Sequence, residues 1–302
     1  MLKKFYFICL VSLLFLAGCA ERTFRKSAFL LGTEVEITVS EKNAKKAKRA
    51  IELALKKIRD EEKNLSYYLA SSELSRINQN AGKRWIEASP ELFSLIKISL
   101  AYSQLTDGAF DIAFSCGGYK KIILDEKRKR IKFAQKGMAL DLGGIAKGYI
   151  VDRIVKFLQK EGVKEGIVNA GGDLKVFGRK SYRIAIRNPF KKDVIARSPL
   201  EADDMAISEV ITVKNKAVCT SGLYERAGHI RNPKTGKPIA NPLASVTIIA
   251  PTAMAADALA TAVMVMGRER GEKLLQKLNF SYFLIDAEGK IFLSDDLENK
   301  RG

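Results

Sequence analysis

The chain has 302 residues, 47% of them apolar and 28% charged, with 7 Pro beside 22 Gly. That length and balance can bury a full-sized core, and they exclude a disordered chain, a collagen-like repeat and a miniprotein dependent on disulfides. A net charge of +18 attracts anionic lipid, nucleotides and acidic partners without bearing on the fold; no nucleic-acid recognition motif accompanies it, so no nucleic-acid partner is expected.

Lys3 and Lys4 precede an apolar run over residues 5–17 that ends in Leu16-Ala17-Gly18-Cys19. A positive start, a short apolar stretch and a small-residue exit read as an export signal, too short to be a full transmembrane span. The last four residues resemble the lipobox of bacterial lipoproteins, the alternatives being an uncleaved anchor or a plain secretory signal. The resemblance implies removal of residues 1–18 and lipidation of Cys19, with membrane affinity of roughly 0.8 kcal/mol per buried methylene. Of the four cysteines, Cys9 then leaves with the signal, and only Cys116 and Cys219 remain in the body. Spacing leaves open whether they pair, and it excludes a disulfide scaffold or a Cys-rich zinc site.

Residues 19–28 read as a lipidated start and short polar tether, ahead of a domain over residues 29–302. Alternation at Val35, Ile37 and Val39 predicts a strand over residues 29–39. Ala44, Ala47, Ile51, Ala54, Ile58 and Leu65 recur at helical spacing among charged residues, predicting a long amphipathic helix. A short helix is expected over residues 72–77, and Pro90 can start another.

Further along, residues 138–142 read as a strand, Gly143-Gly144 as a tight turn, and residues 145–160 as a helix. Strands are expected at 167–169, 182–187, 210–213 and 245–250, with helices at 253–266 and around 274–278. Residues 282–285 and 290–293 read as a closing hairpin about Gly289. The mixture predicts an α+β domain with helices packed around antiparallel or mixed sheets.

Three stretches carry chemistry. Asp257 and Thr261 sit one helical turn apart on one face, an oxygen pair a hard cation such as Mg²⁺ could use; a back-bonded Thr beside an ordinary Asp is the plain alternative. In Asp141-Leu142-Gly143-Gly144-Ile145-Ala146-Lys147-Gly148-Tyr149-Ile150-Val151-Asp152, glycines permit close backbone approach, a helix start offers N–H groups, and Lys147 adds charge. That combination can cradle phosphate, though it is neither a Walker A nor a GxGxxG motif. His229 is the single histidine, flanked by Gly and Pro, and its reference pKa of about 6.5 suits proton transfer near neutrality. Ser221 lacks the elbow of a serine hydrolase.

Taken in order, Leu31-Gly32-Thr33, Ser72 to Asn78, Gly108-Ala109-Phe110-Asp111, Asp141 to Asp152, Gly171-Gly172-Asp173, Thr220 to Arg226, His229 to Gly236 and Ala256 to Ala262 closely resemble the FAD:protein FMN transferase family, also called ApbE. The resemblance implies a membrane-anchored extracytoplasmic or periplasmic enzyme that moves the FMN half of FAD onto a Thr or Ser of a flavoprotein, releasing AMP with the help of Mg²⁺. It implies Asp257, Thr261 and a backbone carbonyl near Gly144 as metal ligands. Leu31, Asp111, Lys147, Asp173, Thr220, Ser221 and Gly222 fall in the implied FAD pocket, and His229, with Asp257, at the chemistry. An Mg²⁺-dependent FAD pyrophosphatase and a non-catalytic flavin-binding lipoprotein are the alternatives. The chain departs from the family pattern at Ile112 to Gly118 and at Leu223, which touches flavin-pocket detail and the balance of transfer and hydrolysis.

Overall fold

A computed structural model describes residues 21–113, 118–190, 207–223, 230–239 and 243–298. Its centre is an eight-stranded sheet in the order β1-β2-β6-β7-β10-β11-β12-β13, each neighbour antiparallel. The strands are β1 (Arg22–Leu30), β2 (Thr33–Glu41), β6 (Glu165–Ala170), β7 (Asp173–Phe177), β10 (Ala217–Gly222), β11 (Leu243–Ala250), β12 (Ser281–Asp286) and β13 (Ile291–Leu293). Helices α1 (Ala44–Leu65), α4 (Ala146–Lys160) and α5 (Ala253–Met266) pack on one face, followed by α6 (Arg268–Lys277). The hairpin β8 (Tyr182–Arg187) and β9 (Ile207–Val213) covers the other face, its Ile186, Ile211 and Val213 packing with Leu174, Val176, Val218 and Ile249. Helices α2 (Glu73–Asn80) and α3 (Pro90–Leu105) accompany a small sheet of β3 (Ile86–Glu87), β5 (Arg130–Phe133) and β4 (Ile122–Asp125), and α7 (Asp295–Glu298) ends the described chain. The fold is α+β, as expected.

The period-two rule explains the layering. In β7 and β10, Leu174, Val176 and Val218 belong to the hairpin side, while Ala217 and Cys219 belong to the helix side. Asp173 and Lys175 share the helix-side parity, so two charged residues of β7 point beneath α4 and α5. β11 is buried along nearly its whole length because both faces are covered. α5 is almost wholly apolar for the same reason, and its single carboxylate, Asp257, is only 4% exposed.

Three expectations are corrected. Residues 22–28 are not a tether: they form most of β1, an edge strand whose polar character follows from exposure, with Phe24 and Ala28 packed inward. The single strand expected over residues 29–39 is a hairpin, broken where Leu31 (φ 57°) and Gly32 (φ 71°) take left-handed conformations. Residues 138–142 form no strand, because the Asn78 side chain occupies both backbone groups of Leu140: its Oδ1 accepts the Leu140 N–H at 2.8 Å and its Nδ2 donates to the carbonyl at 2.9 Å. The small sheet carries no clean sequence signal, because its inward-facing Ile122, Ile131 and Phe133 are interspersed among lysines and arginines.

Candidate active site

α4 and α5 meet backbone to backbone at their N-terminal ends. A Cβ at Gly148 would stand 2.3 Å from the Ala253 carbonyl oxygen, so only glycine permits this approach. The contact brings the Gly148 N–H to Asp257 Oδ2 at 2.9 Å inside the core. One turn further along α5, Thr261 lies against the turn that precedes α4: a Cβ at Gly144 would be 3.2 Å from Thr261 Oγ1 and 3.3 Å from the Phe110 ring. Gly144, more than a hundred residues from Asp257 and Thr261, is thus brought with Gly148 against the α5 face that carries both.

The first turn of α5 is closed by a residue the sequence reading left without a role. Asp152 accepts the Ala253 N–H at 3.1 Å on Oδ1 and the Met254 N–H at 2.9 Å on Oδ2, and Oδ1 also takes Lys175 Nζ at 2.9 Å. A carboxylate at a helix start satisfies orphan N–H groups and complements the dipole. Its sequence signal was present: Gly148 and Asp152 are four apart and so share the face of α4 that meets α5.

Lys147, in the first turn of α4, pairs through Nζ with Asp173 Oδ2 at 2.6 Å. The Asp173 side chain is 2% exposed and that of Lys147 28%, so a buried carboxylate is paired with a partly exposed lysine. Asp173→Asn should loosen the Lys147 ammonium and weaken binding of inorganic pyrophosphate about tenfold in a titration; an unchanged affinity would mean that this pair does not prepare an anion site.

Cys219 lies fully buried under the same helices, its Sγ donating to the Ala253 carbonyl at 3.3 Å. Burial pushes its thiol well above the ordinary range, and the Asp173 and Asp257 carboxylates add to the effect. The folded state therefore holds the thiol proton more tightly than the unfolded chain, and stability should fall as pH rises above the unfolded thiol value of about 8.5. Alkylation at Cys219 should be negligible in the native protein at pH 8.5 and complete in denaturant, read by peptide mass spectrometry. Cys219 is a free thiol; Cys116 lies outside the described residues.

The remaining candidates are placed as follows. Leu31 sits in the β1–β2 turn, its N–H held by Glu62 Oε1 at 3.0 Å near the end of α1. The neighbouring turn at Gly171 packs on Thr33, so the Leu31 and Asp173 segments share one end of the sheet. Asp111 accepts N–H groups from Ala113 (2.8 Å) and Tyr119 (2.9 Å), and burial raises its carboxyl pKa against those bonds. It adjoins Phe110, which reaches Gly144. Thr220 alternates to the sheet face opposite Cys219, bonded to Thr247 Oγ1 at 2.9 Å, whereas Ser221 shares the parity of Cys219 and Gly222 ends β10. His229 and Cys19 lie outside the described residues.

Among the described residues no group of three or more His, Cys, Asp or Glu side chains could hold a metal ion. A cation at this site would need one carboxylate with neutral oxygens, the donor set Mg²⁺ accepts when water and phosphate complete its shell.

The model of the ApbE family matches residues 31–116 and 113–284. The chain belongs to the ApbE family. A Klebsiella pneumoniae relative named FAD:protein FMN transferase is 29% identical, the match covering 90% of this chain and 92% of the relative; one of the same name from Treponema pallidum is 29% identical over 85% and 82%. The solved ApbE protein of Thermotoga maritima has 30% identity and a TM-score of 0.81, covering 92% of this chain and 99% of that one. The Vibrio cholerae flavin transferase ApbE, 24% identical, supports the shared fold with a TM-score of 0.80 over 92% and 99%. The ApbE match spans the α4 start and the α5 pair alike.

Proposed function

We infer that this chain transfers FMN from FAD to a Thr or Ser hydroxyl of an extracytoplasmic flavoprotein, releasing AMP. The observation that carries the reading is the meeting of Gly144 with Thr261 and of Gly148 with Asp257 at the start of α4, where the Lys147 ammonium and the positive end of the helix dipole favour a pyrophosphate. Family membership supplies the substrate. Asp257, Thr261 and the Gly144 backbone carbonyl are oxygen donors of the kind Mg²⁺ takes, and would hold it. When bound, the ion adds Lewis-acid stabilisation of charge on phosphoryl oxygens.

The protein's own residues do the rest. Lys147, oriented by Asp173, neutralises the pyrophosphate, and the α4 N-terminus favours the negative charge that develops there. The acceptor hydroxyl oxygen forms a bond to the FMN phosphorus as the bond to the AMP phosphate oxygen breaks, and His229 takes the hydroxyl proton. Asp257, which accepts the Gly148 N–H and would bind the metal, is poorly suited to that second task, so of the two residues expected at the chemistry His229 takes the proton and Asp257 holds. Leu31, Asp111, Ser221 and Gly222 are assigned to the surroundings of FAD. Water in place of the hydroxyl would give FAD hydrolysis at the same site.

In this reading, cleavage of the leader and lipidation of Cys19 anchor the enzyme facing the periplasm or cell exterior. Incubation with FAD, Mg²⁺ and a flavoprotein carrying its acceptor Thr should add the mass of one FMN to the acceptor, and omission of Mg²⁺ should abolish the addition. AMP and FMN released without any acceptor adduct would favour the hydrolase, and FAD retained uncleaved would favour a passive binder.

A further inference from the structure

The central sheet has two distinct ends, and the chain enters at the one away from the site. Leu30 pairs Thr33, Val35 pairs Ala170 and Ala170 pairs Asp173, which gathers the Leu31 turn, the Gly171 turn and the Lys147 pair at one end. Arg22 pairs Glu41, Ser40 pairs Glu165 and Gly166 pairs Phe177 at the other.

That second end is pinned from several directions. Lys46 Nζ bonds Glu41 (2.7 Å) and the Gly162 carbonyl (2.8 Å) just beyond α4, and Lys180 Nζ bonds Glu21 (2.6 Å) and Ser40 (3.2 Å). Adjoining these residues in sequence, the exposed charged side chains are Arg22, Lys42, Lys45, Lys160, Lys164 and Arg179 with the acids Glu21 and Glu161, while the half-buried Glu41 and Glu165 pair with Lys46 and Lys180. Cys19 precedes the pinned Glu21 by two residues, a covalent reach of about 7 Å.

We propose that this basic pole is a seat for anionic phospholipid, which holds the catalytic end outward from the membrane. The inference rests on lipidation of Cys19. With so little chain between acyl group and sheet, the pole cannot be far from the headgroups, where each basic side chain gains from the negative surface potential within a Debye length. β1 has nine residues, and a strand rises about 3.3 Å per residue, so the Leu31 end stands up to about 30 Å from the pole. The acceptor hydroxyl must then be presented at that height, by a flavoprotein segment raised above its own membrane surface.

The test uses the full chain expressed with its leader, purified in mild detergent and reconstituted in vesicles of phosphatidylcholine with or without phosphatidylglycerol. Brief lysine acetylation is read residue by residue by mass spectrometry. Lys42, Lys160 and Lys164 should be protected about fivefold in phosphatidylglycerol vesicles and relabelled at high salt, while Lys234 and Lys290 label equally throughout. The double variant K160E/K164E should lose the protection at Lys42. Equal labelling of the pole in both vesicles, or protection at Lys234 and Lys290 instead, overturns the proposal. The same digest reports the acyl mass on Cys19: an acylated cysteine with an unprotected pole sinks only this orientation, and an unacylated one sinks the anchor together with it.

Discussion

Asp257→Ala should lower Mg²⁺-dependent FMN transfer by about 100-fold or more, the scale on which loss of a transition-state electrostatic partner is felt. Two functions disappear together in that variant. The Gly148 N–H, buried at 2.9 Å from Oδ2, is left without its acceptor, at a cost of about 1–3 kcal/mol, and the site loses its carboxylate. Asp257→Asn separates them. The amide oxygen can still accept the Gly148 N–H, so thermal stability should stay close to that of the parent chain, while the missing charge raises the Mg²⁺ concentration needed for half-maximal activity by at least about tenfold. An Asn variant that transfers FMN with the parent's Mg²⁺ dependence would show that Asp257 is only a helix-to-helix clamp. Restored activity at high Mg²⁺ would fit the assigned role.

Much of this site was legible in the sequence because it is built from short local patterns. The Asp257 and Thr261 pair follows from helical spacing, and α1, α5 and β8 appear at or within a residue of the limits that periodicity sets. What spacing could not give is which patterns meet. The contact of Gly148 with Ala253 spans 105 positions and depends on the absence of one methyl group, and the parity that turns Asp173 and Lys175 toward the helices depends on the sheet having cover on both faces. Asp152 escaped notice for the same reason: its partners are backbone N–H groups, which no side-chain pattern advertises. The segment before β2 misled in the opposite direction, since an exposed edge strand carries the polar composition of a tether.

Gly148→Ala and Gly144→Ala should fail in different ways, because the atoms each new methyl group meets differ in their freedom to move. At position 148 the Cβ would lie 2.3 Å from the Ala253 oxygen, 2.6 Å from its carbon and 2.8 Å from the Met254 nitrogen. All three are backbone atoms at the start of α5, held in turn by Asp152, so the helices must separate and the bond to Asp257 must stretch. Overpacking of this kind costs about 3 kcal/mol, which for a domain of this size lowers Tm by about 5–10 °C, and turnover falls with it. At position 144 the neighbours are the Thr261 side chain at 3.2 Å and the Phe110 ring at 3.3 Å, both able to yield by a few tenths of an ångström. Gly144→Ala should therefore fold with a Tm within about 3 °C of the parent yet lose about tenfold or more in kcat, since displacing a positioned ligand by a fraction of an ångström is enough to misalign the reacting groups. Calorimetry and the transfer assay on the two variants decide the matter: equal stability losses with equal activity losses would mean that the Gly144 turn serves packing alone.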